Sequence, residues 1–189
     1  MSGLGRIFAV VLVVAGALVP SAIRAAEETP QRATREDMKL FEHKIGTFRS
    51  PTYLFDDGKT EHYFTIGYEW FDRDKTIVKV DVRTVIPSQS RTIVNSEAFY
   101  WHDPVKQQIL VFGAFARGMV GSGAVGTFDH DAGTHTVWAT SIDVKGTAMH
   151  VRDMFQAIDK NSWKNKTWVR MGDETEWKVV HEAVYTRVN

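Results

Sequence analysis

Thr76-Ile77-Val78-Lys79-Val80-Asp81-Val82-Arg83-Thr84-Val85-Ile86 decides the fold class of this 189-residue chain. Val78, Val80 and Val82 alternate with Lys79, Asp81 and Arg83. That period of two puts successive side chains on opposite faces of a strand. A helix through the same residues would scatter both sets around its circumference. The pattern extends in both directions. Upstream, Phe64, Ile66, Tyr68 and Trp70 alternate with Tyr63, Thr65, Gly67 and Glu69. Near the C-terminus, Trp177, Val179, His181, Ala183 and Tyr185 read onto one face, with Lys178 and Glu182 on the other.

Turn-forming clusters separate these runs: Asp56-Asp57-Gly58, Asp72-Arg73-Asp74, Pro87-Ser88-Gln89-Ser90, His102-Asp103-Pro104, His130-Asp131-Ala132-Gly133, Lys160-Asn161-Ser162 and Gly172-Asp173-Glu174. Regular punctuation of this kind marks consecutive antiparallel strands joined by hairpins. About ten strands are expected, the longest at 60–70, 76–86, 91–101, 146–159 and 176–188. One short helix precedes them over 35–44, where Met38, Phe41 and Ile45 share a narrow apolar face and Gly46 ends the run. The fold class that fits is all-β, an antiparallel up-and-down barrel with one short N-terminal helix, since closure removes exposed strand edges. A two-sheet sandwich is the competing arrangement.

The N-terminus reads differently. An apolar run from Ile7 to Val19 follows Arg6 and is succeeded by Pro20 and the small-residue segment Ser21-Ala22-Ile23-Arg24-Ala25-Ala26. It falls short of the roughly 20 residues a membrane span needs and has the layout of a secretory signal peptide. The expected division is a signal peptide at 1–25, a flexible lead-in at 26–34 and a single barrel domain at 35–189. Export to the periplasm or medium follows, with no transmembrane segment in the mature protein. Beyond residue 25 the chain keeps only Leu40, Leu54 and Leu110 among leucines and is rich in valine and threonine, a composition suited to half-buried pleated surfaces. Without Arg6 and Arg24 it is slightly acidic, which excludes a polybasic nucleic-acid binder. The absence of cysteine excludes disulfide scaffolds, zinc–thiolate sites, c-type haem attachment and thiol nucleophiles.

Few motifs carry chemistry. Gly121-Ser122-Gly123-Ala124-Val125-Gly126 has the glycine spacing of a dinucleotide loop, but Thr127-Phe128-Asp129 continues as strand where that motif requires a helix. Glycines that let a barrel wall bend are the better reading. Asp129, His130, Asp131 and His135 gather around one turn, where these residue types are ordinary turn formers, so no metal site is assigned. In His150-Val151-Arg152-Asp153-Met154, His150 and Arg152 share one face and Asp153 takes the other, so whichever face is interior buries an ionisable group. No serine sits in a Gly-x-Ser-x-Gly elbow, and the alternation turns several of Glu69, Asp81, Glu97 and Asp153 outward. No catalytic residues are assigned.

The order of segments is similar to a known barrel family. The helix runs into Lys44-Ile45-Gly46-Thr47-Phe48, with Phe48 where lipocalin-like proteins tend to have the tryptophan of a Gly-x-Trp opening. Tyr68-Glu69-Trp70-Phe71, Tyr100-Trp101-His102-Asp103-Pro104, Arg152 to Trp163, Gly172 to Trp177 and Tyr185-Thr186-Arg187-Val188 follow. Together they resemble the uncharacterised, often exported calycin-like barrels related to lipocalins and, more distantly, to nitrobindin. The resemblance implies a barrel with an interior cavity and no established reaction. Nitrobindin-type barrels hold haem through a histidine near the C-terminus, and His181 falls in the corresponding strand.

The expected function is non-catalytic binding of a small apolar or amphipathic molecule inside the barrel. Tyr68, Trp70, Val80, Phe112, Trp138, Arg152, Phe155 and His181 are the expected ligand-lining residues, the polar ones fixing orientation. No cofactor is required by this reading. The alternatives are a haem barrel using His181, and a barrel isomerase or cyclase with Asp153 or His150 as general acid or base. A homodimer is compatible with exposed Tyr and Trp residues.

Overall fold

The computed structural model describes residues 29–115, 119–143 and 145–188. The segment 1–25, expected from the sequence to be a signal peptide, lies outside the described residues. Eleven strands follow a 3₁₀ helix at Arg35–Lys44: β1 (Gly46–Arg49), β2 (Tyr53–Leu54), β3 (Glu61–Trp70), β4 (Ile77–Ile86), β5 (Arg91–Asp103), β6 (Gln108–Phe115), β7 (Met119–Asp129), β8 (Thr134–Ile142), β9 (Ala148–Asp159), β10 (Ser162–Met171) and β11 (Lys178–Val188). A single 3₁₀ turn, Pro87–Gln89, links β4 to β5.

From β3 to β11 each strand pairs antiparallel with the next in sequence. β1 then pairs on one side with β11, Phe48 opposite Arg187, and on the other with β3, Phe48 opposite Ile66. That double pairing closes a ring of ten strands and removes the edges a sandwich would leave. β2 is a two-residue addition that pairs with β3 at the rim.

Alternation places the core inside. Phe64, Ile66 and Tyr68 of β3, Val78, Val80 and Val82 of β4, Val111 of β6, Val137 of β8 and Trp163 of β10 are all buried. In the interior Trp163 stacks on Tyr185, with centroids 4.6 Å apart and planes 12° from parallel. Phe48 meets the edge of Trp163 at 5.7 Å.

The helix plugs one end. Its span is the one expected, but its turns are tighter than those of an α-helix. In a 3₁₀ helix residues three apart eclipse one another. The inward stripe is therefore Met38, Phe41 and Lys44, all buried, instead of Met38, Phe41 and Ile45. Asp37 accepts hydrogen bonds from the Thr34 backbone N–H and hydroxyl at 2.7 and 2.8 Å, fixing the first turn. Arg187 fixes the last, donating to the carbonyls of Ile45 at 2.6 Å and His43 at 2.9 Å. Gly46 leaves the helix at φ +123°, and a Cβ there would lie 2.4 Å from the Arg187 guanidinium. From Gln31 onward the expected lead-in is tied down: Gln31 and Ala33 donate backbone hydrogen bonds to Gly126 and Gln107.

Two local readings change. The Gly121–Gly126 motif lies wholly within β7 and is followed by a turn and another strand, as the wall-bending reading requires. The inward face assigned to β11 is right for His181, Ala183 and Tyr185 but not for Val179 and Trp177, which are exposed. The cause is a bulge between Thr167 and Trp168: His181 faces Thr167 and Val179 faces Trp168, so Val180 is an extra residue. An extra residue inverts the faces beyond it.

Gly123 lets β7 and β8 approach closely. A Cβ there would stand 2.1 Å from the Trp138 carbonyl oxygen and 2.8 Å from both Cα and Cβ of Ala139. Gly123→Ala is expected to destabilise the barrel by about 1–3 kcal/mol, read as a lower urea midpoint with an unchanged slope.

Candidate functional site in the barrel interior

Polar groups collect on the inward faces of β8, β9 and β10, the strands that Lys44 of the helix touches through His135, Phe155 and Trp163. Along β10, Lys164 and Lys166 turn outward, so Asn165 and Thr167 turn inward, and both are fully buried. On β9 the same alternation buries Asp153 between Val151 and Phe155. Asp153 pairs with Thr167 across the ladder. The Thr167 hydroxyl donates to Asp153 Oδ1 at 2.5 Å, while Oδ2 has no hydrogen-bond partner among the described residues. Burial pushes the Asp153 carboxyl up to about 7, against opposing pulls from Thr167, Asn165 and the Lys44 amine. Ser141, inward on β8 and fully buried, also has an unpartnered hydroxyl among the described residues.

Lys44 enters from the helix. Its Nζ lies 3.5 Å from the Phe155 ring centroid, 4.7 Å from that of Trp163 and 5.3 Å from that of Tyr68. His135 Nε2 is 3.3 Å away, and its ring stacks on Phe155 with centroids 4.7 Å apart. Burial drives the Lys44 amine well below its ordinary value, with Asp153 pulling the other way. Burial and the neighbouring Lys44 likewise hold His135 well below its ordinary value. The Tyr68 and Tyr100 hydroxyls are pushed up by burial.

The rim opposite the helix carries a second cluster. Phe55 stacks on His62 at 4.0 Å, and Tyr53 and Phe64 contact the same imidazole at 5.9 and 5.5 Å. His181 lies against Phe64 at 5.7 Å and shares a 3.0 Å hydrogen bond between its Nε2 and the Tyr185 hydroxyl. Burial lowers His181 to about 4, so it is neutral at physiological pH. A groove of about 390 Å³ at the plugged end, lined by Arg32, Thr34, Arg35, His102 and Gln107, is separate from this interior.

The expected ligand-lining residues divide. Tyr68, Val80 and Phe155 are buried inward, and His181 is inward and half-buried. Trp70 is half-buried at the plugged end, packed against the core. Phe112, Trp138 and Arg152 belong to the outer wall. Phe112 is 47% exposed. Trp138, Arg152 and Trp168 face one another in register across β8, β9 and β10, and the guanidinium sits 5.9 and 5.7 Å from the two rings. Arg152 therefore orients nothing inside the barrel; Asp153 is the ionisable group of that segment that does face inward.

The proposed His150–Asp153 acid–base pair is split for the same reason. His150 contacts the Thr140 hydroxyl on the outward face, whereas Asp153 is interior. The Asp129–His135 cluster is split too: His130 pairs with Asp37 at 2.9 Å, Asp129 caps its own turn, and His135 points into the barrel. No group of three or more potential metal ligands occurs among the described residues. His181 Nε2 shares its hydrogen bond with Tyr185, and the rings of Tyr53 and Phe64 lie 6.4 and 5.7 Å from the imidazole.

Lys44, His135, Asn165, Thr167 and Ser141 are absent from the sequence-based set. Asn165 and Thr167 were accessible to it, because Trp163-Lys164-Asn165-Lys166-Thr167 alternates as clearly as β4 does. Lys44 required knowing the pitch of the helix.

Fold and interior together define a closed, antiparallel up-and-down β-barrel with a helix-plugged base and a buried polar cluster. No protein-family model matches the chain, and no curated protein matches it. Among solved structures, the chain is similar to one described as EF1p2_mFAP2b bound to DFHBI, at 12% identity and a TM-score of 0.36, over 80% of this chain and 98% of that one. It is also similar to the S-type phycobiliprotein lyase CPES from Guillardia theta, at 9% identity and a TM-score of 0.44, over 80% of this chain and 92% of that one. The ligand and the activity in those names belong to those proteins.

Asp153 makes the stability depend on pH. Its folded value, about 7, exceeds its ordinary 3.8. Its contribution is therefore fully present below about pH 4 and lost as pH rises through about 7. Lys44 and His135 are shifted downward and act in the opposite sense. Comparison with Asp153→Asn isolates the acid. The stability of the variant relative to wild type should rise by a few kcal/mol between pH 4 and pH 8, measured by urea unfolding at both.

Proposed function

We propose that the barrel binds a small, uncharged, apolar or amphipathic molecule in its interior and acts as a binder, not a catalyst. The observation that carries this reading is the pair of buried, inward polar atoms without a hydrogen-bond partner among the described residues, Asp153 Oδ2 and Ser141 Oγ, set in an aromatic and β-branched wall. A buried polar atom without a hydrogen bond costs about 1–3 kcal/mol, and a ligand hydrogen-bonding group that reached it would recover that. The rings of Phe155, Trp163 and Tyr68 would supply contact area. Burial that favours the neutral forms of Lys44, His135 and Asp153 disfavours a formally charged guest.

Catalysis has less support, because Asp153 is the only member of the suggested acid–base pair that faces the interior. Export remains the expectation attached to the Ile7–Val19 segment and belongs to this reading as its setting.

N-phenyl-1-naphthylamine, an apolar fluorophore with one N–H donor, provides the test. Its emission should rise on addition of the protein and saturate at one equivalent. Ala139→Leu fills the interior beside Val151 and should weaken that binding roughly tenfold, as about 1.4 kcal/mol of overpacking would. A flat titration with folded protein would overturn the proposal.

A further inference from the structure

Lys44 is a primary amine held inside a protein, and nothing in the binding reading uses its chemistry. We infer that Lys44 captures the carbonyl group of an aldehyde or ketone ligand as an imine, with Asp153 as the acid that completes the condensation and the counter-ion that remains. This deepens the interior-binding reading and rests on it.

The geometry supplies each requirement. The amine is excluded from water, and three ring faces, Phe155, Trp163 and Tyr68, surround it at 3.5–5.3 Å. Water exclusion matters twice. It leaves the nitrogen lone pair free for attack, and it protects an imine from hydrolysis. Aromatic walls also suit a flat, conjugated carbonyl compound, the kind whose imine is most persistent. His135 Nε2, 3.3 Å from Nζ, can accept one amine hydrogen and so aim the lone pair. Asp153 lies two residues before Phe155 on the inward face of β9, Phe155 being the ring nearest Nζ, and its Oδ2 has no hydrogen-bond partner among the described residues; burial also pushes its carboxyl up to about 7.

The step balances without an oxidant or reductant. The Lys44 lone pair forms the C–N bond while the carbonyl π pair moves to oxygen, and a proton passes from nitrogen to that oxygen to give the carbinolamine. Asp153 then donates its proton to the hydroxyl, and water leaves with the C–O bonding pair. The nitrogen lone pair closes the C=N bond. The products are a protonated imine, one water and the Asp153 carboxylate, an internal ion pair formed from neutral reactants.

The test uses matched probes, trans-cinnamaldehyde and cinnamyl alcohol, which share a skeleton and differ in the carbonyl. Protein incubated with the aldehyde and sodium cyanoborohydride is examined by intact mass and peptide mapping, and binding of the alcohol is followed by native mass spectrometry. The expected result is one reduced adduct, mapped to Lys44, forming well before any on exposed lysines such as Lys59, Lys106 and Lys160. Lys44→Arg keeps the stem and a cation but cannot form an imine, and should lose the adduct. Asp153→Asn should slow adduct formation roughly tenfold or more at saturating aldehyde, a rate read apart from any change in alcohol affinity, which also serves if Lys44→Arg does not fold. Labelling spread over the exposed lysines with Lys44 unmodified, while the alcohol still binds, overturns the imine and leaves the binding reading standing. If neither probe binds folded protein, both fall.

Discussion

A lysine amine removed from water at the base of the barrel is the constraint around which the rest of the structure is arranged. An isolated buried ammonium is too costly to persist, so the group either loses its charge or acquires partners. Lys44 does both. Burial lowers its proton affinity, and three ring faces and the His135 nitrogen surround what remains of the charge. The amine can occupy that position only while the helix holds its pitch and depth. Asp37 fixes the first turn, and Arg187 holds the carbonyls of His43 and Ile45 at the last. Arg187 also pairs β1 to β11 through its own backbone position opposite Phe48, so barrel closure and helix placement share one residue.

The wall sorts charge by face. Outside, Lys79 bridges Glu69 and Glu97, and Lys164 and Lys166 converge on Glu182, whose carboxyl they hold down to about 2. Such exposed pairs add little stability but keep the outer face wet. Inside, the ionisable groups are few and each is pushed toward neutrality by burial. The interior consequently offers hydrogen-bonding atoms and a nucleophilic nitrogen without a strong fixed field. That combination suits the uncharged, apolar or amphipathic guest proposed for it.

How much of this was legible in the sequence depends on which periodicity governs a segment. The strands are nearly all readable, because β3, β4 and β10 alternate without interruption and hairpin chemistry marks their ends. Where an extra residue enters, legibility stops: beyond the bulge at Thr167 and Trp168 the assigned face of Val179 and Trp177 inverts. In 150–153 the alternation correctly separates Arg152 from Asp153, but it does not say which of them faces in. The stack of Arg152 between Trp138 and Trp168 decides that, and it depends on the register of three strands. Lys44 was hidden for a different reason. An α-helical spacing puts Ile45 inward; the 3₁₀ spacing puts Lys44 there.

The two ends of the barrel differ in how firmly they are held, and under the proposed interior binding that difference sets a direction for ligand passage. The plugged end is secured by the Arg187 clamp, the Asp37 cap, the His130–Asp37 pair and the backbone bonds of Gln31 and Ala33. At the other rim, β2 contributes two paired residues, and its cover consists largely of the Phe55–His62 stack and the Tyr53 contacts. Short pairing and ring contacts open at less cost than a network of backbone and charge-assisted hydrogen bonds. A guest entering beneath β2 meets His62, Phe64 and His181 first, next the level of Asp153 and Thr167, and finally the Lys44 amine. The order places apolar recognition before polar, and the single nucleophile at the end of the path.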